Sequence, residues 1–179
     1  MKDASKIPVR LLATTPRGEV DLSEKSRATH LPAGPQSAEG EFELRYGPYL
    51  RAVHYLLLRN NCRKILEALA HRLGRLVTLA EVDGIEIRTE KHGAFYHVAR
   101  ADVSVSGLIV SFAVNVAVSD TARAQLERDF NFLRSLTNQY NYKFLPQAYF
   151  KGAGIYRELG KPRRWLHMFV AEWFRDYHE

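Results

Sequence analysis

Between Gly107 and Val118 large and small residues alternate. Phe112, Val114, Val116 and Val118 fall on one side of an extended segment, and Ser111, Ala113, Asn115 and Ala117 on the other. One face is therefore bulky and apolar; the other is small, with Asn115 as a polar group in its middle. At Ser119-Asp120 the period lengthens, and Ala122, Leu126, Phe130 and Leu133 recur at helical spacing. The pattern predicts a buried strand over about 108–118 feeding an amphipathic helix that ends near Asn138 to Asn141.

Upstream, Tyr49, Val53, Leu56, Leu57, Ile65, Leu66, Leu69 and Leu73 also follow a helical period. Gly47-Pro48 is a start signal, because proline is tolerated in a first helical turn, and Gly74 is a stop signal. Asn60-Asn61 weakens the middle, so one long helix or two abutting ones fit equally. Strands are predicted at Ile85-Glu86-Ile87 and from Phe95 to Val105, with a turn at Lys91-His92-Gly93. Two more follow, Gln147 to Tyr156 and Trp165 to Ala171, separated by the turn signal Gly160-Lys161-Pro162. Short turns between consecutive strands favour an α+β fold: a mainly antiparallel five-stranded sheet with one inserted helix, preceded by a helical extension. The expected division is a flexible arm over 1–45, carrying Pro8, Pro16, Pro32 and Pro35, a helical extension over 46–75, and an α+β domain over 76–179.

Composition narrows this little. The chain has 179 residues, 46% of them hydrophobic, enough for one substantial core. Lys+Arg 26 against Asp+Glu 20 leaves a net charge of +6, a modest attraction for polyanions. Cys62 is the single cysteine, so no intramolecular disulfide can form. No apolar run reaches the roughly 18 residues of a spanning helix, and the expected location is cytoplasmic, with no membrane partner. His54, Cys62 and His71 lie too far apart along a helix for the usual pairing of metal ligands three or four residues apart, so no metal site is expected. No Gly-x-Ser-x-Gly occurs. Tyr140, Tyr142, Phe144, Tyr149, Phe150 and Tyr156 interleave with Lys143, Lys151 and Arg157. Such mixing occurs on surfaces that bind single-stranded nucleic acid, but strands packing their rings into a core give the same pattern.

Taken with these residues, the order of elements resembles the N-terminal lobe of the protein-kinase-like fold, over roughly residues 84–179. The likeness is to the branch that includes aminoglycoside and choline phosphotransferases. That family carries Ala-x-Lys on its third strand, where this chain has Phe112-Ala113-Val114-Asn115. The resemblance makes Glu127 the helix glutamate and Phe169-Val-Ala-Glu-Trp-Phe174 the hinge, with the backbone carbonyl of Glu172 and the backbone amide of Phe174 facing adenine. Ala171 then stands at the gatekeeper position. The implied ligand is ATP with magnesium, contacted by Ala113, Asn115, Glu127, Glu172 and Phe174. Three departures qualify it. Asn115 replaces the lysine, the hairpin from Arg88 to Phe95 has one glycine in place of a glycine-rich cover, and no His-x-Asp-x-x-x-x-Asn or Asp-Phe-Gly pattern is present. The resemblance thus implies a phosphotransferase-like or pseudokinase-like lobe with no catalytic residues of its own, completed by a lobe beyond Glu179 or used alone. The alternatives are a non-enzymatic protein-interaction or self-association module and a single-stranded nucleic-acid binder.

Overall fold

The computed structural model describes residues 3–15, 18–23, 38–92, 96–117, 119–140, 145–158 and 160–174. In chain order these form β1 (Val9–Thr15), β2 (Gly18–Asp21), α1 (Ala38–Leu58), α2 (Arg63–Leu73), β3 (Val82–His92), β4 (Tyr96–Val105), β5 (Leu108–Ala117), α3 (Asp120–Tyr140), β6 (Ala148–Tyr156) and β7 (Arg164–Glu172). The strands join in one mixed sheet of order β2-β1-β3-β4-β5-β7-β6. The α+β class is as expected, and so are the helix between β5 and β6 and the antiparallel run from β3 to β7.

The expected count of five antiparallel strands is corrected to seven in a mixed sheet. The extra two come from the segment read as a flexible arm. β1 pairs parallel with β3, Val9 opposite Ile85 and Leu12 opposite Arg88, and β2 folds back antiparallel on β1. Leu11 and Ala13 enter the core from β1, and partly buried Val9 packs against it. A strand this short, flanked by prolines and paired with a partner over seventy positions away, leaves little local pattern to read. The helix predicted to begin at Gly47-Pro48 begins instead at Ala38, with Pro48 inside it. Ala, Glu and Leu before the proline are strong helix formers, and the helix tolerates the one donor that proline removes.

The bulky face of β5 is the centre of the core. Phe112, Val114 and Val116 are buried with Ile85, Ile87 and Val103 of the neighbouring strands beneath Leu50, Val53 and Leu57 of α1 and Ile65 and Leu69 of α2. On the opposite face, Ala122, Leu126 and Phe130 of α3 close over Ala117, Ala148, Phe169 and Ala171. α3 therefore covers one end of its face, around β6 and β7. α1 approaches β6 so closely that a Cβ at Gly154 would stand 1.9 Å from the Ala52 carbonyl oxygen.

The helices end where the asparagines and glycine indicate. Asn60, Asn61 and Cys62 have φ of 53°, 54° and 61°, three successive left-handed residues between α1 and α2, and Gly74 ends α2 at φ 66°. Among the described residues no helix is long and apolar enough to cross a membrane.

Candidate functional site

β5 presents Ala113 and Asn115 on the face that α3 only partly covers, and both are half-buried. Register sets their neighbours. Asn115 lies between Val98 of β4 and Phe169 of β7, and Ala113 between Arg100 and Ala171. No described hydrogen bond involves the Asn115 side chain. Tyr96 marks the edge toward α3. Its hydroxyl donates to Asp129 at 2.5 Å, and Gln125 donates to the same carboxylate at 2.6 Å. Burial and the Asp129 charge raise the Tyr96 phenol above its ordinary range.

On the other side of this strip the sheet face is charged. Arg100 Nε lies 2.9 Å from Asp102, whose carboxylate also accepts from Ser111 at 2.5 Å. The Arg100 guanidinium sits 5.4 Å from the Trp173 ring centroid. Arg88 pairs with Glu86 and lies 3.2 Å from Glu19, and Arg10 bridges Asp21 at 3.3 Å and Glu86 at 3.0 Å. These three arginines face four carboxylates, so the network stitches β2 through β5 together and has no positive charge to spare for a ligand.

The glutamate that the resemblance assigns to the helix is already engaged. Lys151 of β6 pairs with Glu127, and its ammonium lies 5.5 Å from the Phe130 ring centroid. Lys151 stands opposite Phe169, and Phe169 opposite Asn115, so β7 separates this lysine from the β5 strip. The side chains are 40% and 41% exposed, where water screens an ion pair strongly. Lys151→Met should accordingly change unfolding free energy by less than about 1 kcal/mol in a urea titration. A larger loss would assign the pair a structural role that its exposure does not support.

Glu172 is turned to the opposite face. Its carboxylate lies 2.6 Å from Arg72 near the end of α2, and its backbone N–H donates to the Gln147 carbonyl at 2.8 Å. Burial and the nearby Glu172 charge push the Tyr149 phenol up to about 12. Trp173 N–H donates to the Ser111 carbonyl at 3.4 Å, which ties the segment leaving β7 to β5; Phe174 follows it. The structure thus brings Ala113 and Asn115 together on one strip. It holds Glu127 with Lys151, and it sends the Glu172 side chain to the far side of the sheet.

No family model, curated protein or solved structure matches this chain.

His54, Cys62 and His71 do not converge, and no group of three or more metal-ligating side chains forms among the described residues. His71 packs edge-on against Tyr149 at 5.7 Å. Cys62 is buried, and burial pushes its thiol up to about 11, which leaves it a poor nucleophile. His167 on β7 has its pKa lowered by burial first and by Arg123 next, with Glu127 and Asp120 acting the other way.

One concave feature has no counterpart in the sequence reading. A cleft of about 1160 Å³ opens between β1 and the C-terminal end of α1, with Arg51, His54, Arg59, Asn60 and Asn61 among its lining. The helical period of α1 placed His54 on a helix. The opposite wall comes from β1 with the residues before it and Ser23, all within the segment expected to be an arm.

Proposed function

We propose that this chain is a nucleotide-binding scaffold, a phosphotransferase-like or pseudokinase-like lobe that does not complete phosphoryl transfer alone. The observation that carries the reading is the half-buried strip of Ala113 and Asn115 at the margin of α3, beside the point where the chain leaves β7. Small side chains leave room there for a flat ring, and half-buried Val98 supplies apolar surface next to it.

The phosphates fare differently. Asn115 brings no charge to the strip, Arg100 is committed to Asp102, and Lys151 is held by Glu127 one strand beyond β7. Binding energy on this reading therefore comes from the ring and little from the triphosphate. ATP, with or without magnesium, and adenosine should bind in calorimetric titrations with dissociation constants within about threefold of one another, a difference of under 1 kcal/mol. Ala113→Phe, which fills the strip, should abolish both signals without lowering the thermal midpoint by more than a few degrees. No heat from either ligand rejects the nucleotide role.

A further inference from the structure

We propose that the cleft between β1 and the end of α1 binds a small organic anion, an apolar body carrying one carboxylate or phosphate head. The site lies on the α1 side of the sheet, away from the Ala113 strip, and does not depend on the nucleotide reading. Its size suits a ligand of ordinary metabolite dimensions. Its base is apolar: Ile7 and Leu11 are 5% and 2% exposed, and Val9 and Leu58 are partly buried beside them.

The polar groups of the lining divide into those already occupied and those left over. Asp3 accepts from both the backbone N–H and the hydroxyl of Ser5. The Ser23 hydroxyl donates to Asp21 and accepts from the Leu11 N–H. By contrast, the side chains of His54, Arg59, Asn60 and Asn61 make no hydrogen bond or ion pair among the described residues. His54 Nε2 is enclosed with no hydrogen-bond partner among the described residues, which is uncommon for a buried ring nitrogen. Four unused polar side chains around one apolar-based cleft are what a polar-headed ligand would complete.

The sign of the head follows from the charges. Among the side chains left over, Arg59 carries the one formal charge, and the carboxylate of the lining, Asp3, is already occupied. The C-terminal end of α1 carries partial negative charge, but Arg59 follows it directly and offsets it. Arg59 then supplies the charge, neutral His54 an Nε2 hydrogen bond, and Asn60 and Asn61 amide donors at the rim. Carboxylates and phosphates share this recognition chemistry.

Calorimetric titration of the full chain with octanoate, octyl phosphate and octanol tests it. Either anion should bind at least about tenfold more tightly than octanol, and the tighter of the two identifies the head group. Arg59→Ala should weaken that anion by about tenfold or more with the thermal midpoint unchanged, because Arg59 is exposed. His54→Leu should weaken it as well while leaving the fold at least as stable, since it removes an unpaired buried nitrogen. Octanol binding as tightly as the anions, Arg59→Ala titrating like the unaltered chain, or no heat from either anion overturns the proposal.

Discussion

Phe112→Ala should cost the fold about 3–5 kcal/mol, the usual range for removing a fully enclosed aromatic ring. Phe112 has 0% exposure, sits on a strand flanked by β4 and β7, and meets the Tyr149 ring edge-on at 5.5 Å. Nothing nearby can collapse into the space cheaply, because the sheet backbone is fixed on both sides and α1 is held above it by other contacts. Against a typical total stability of about 5–15 kcal/mol, the variant keeps little margin. Its thermal midpoint should fall by about 6–20 °C in a reversible melt. Ile109→Ser, three residues earlier at 68% exposure, should move it hardly at all. A fall below about 1 kcal/mol for Phe112→Ala would show that this face is not the centre of the core.

The second large effect is at the seam of α1 and β6. A Cβ at Gly154 would lie 1.9 Å from the Ala52 carbonyl oxygen and 2.6 Å from its carbon, so the helix backbone itself would have to move. A Cβ at Gly152 meets the Leu56 side chain, with Cδ1 nearest at 2.5 Å, and a leucine tip can swing aside. Gly154→Ala should therefore destabilise by about 3 kcal/mol and Gly152→Ala by about 1 kcal/mol, measured by urea unfolding of the two variants side by side. Equal losses would mean that α1 rides on side chains here and not on the strand backbone.

Most of the sheet was legible because its strands are built from local alternation. Phe112, Val114 and Val116 against Ala113, Asn115 and Ala117 need no tertiary information to define two faces. The helical runs of α2 and α3 read as clearly, and at Asn60-Asn61, where the pattern left one helix or two open, the left-handed turn makes two. Pro48 misled: proline serves equally as a first-turn residue and as a tolerated interior one, and only the helix formers before it distinguish the two. Long-range pairings left no trace. Lys151 meets Glu127 across 24 positions, and the cleft around His54 needs β1 laid beside α1, a contact that no periodicity encodes. The likeness to a phosphotransferase lobe drew attention to Asn115 and to Glu127. In the folded chain Asn115 lies between Val98 and Phe169, and Glu127 pairs with Lys151.

The parallel join between β1 and β3 has a consequence for how the molecule assembles. Val9 pairs with a residue 76 positions away, whereas β4 and β5 close over a turn in which Val105 faces Leu108. Chain-closure entropy alone makes the first join about 3 kcal/mol harder to initiate than the second. The hairpins should therefore form early and on their own, and β1 can dock only on an edge of β3 that already exists. During synthesis the first strand emerges well ahead of β3 and has only β2 to pair with until Val82–His92 is out. The wall that completes the His54 cleft is thus among the last parts to arrive, and the cleft exists only in chains that have finished folding.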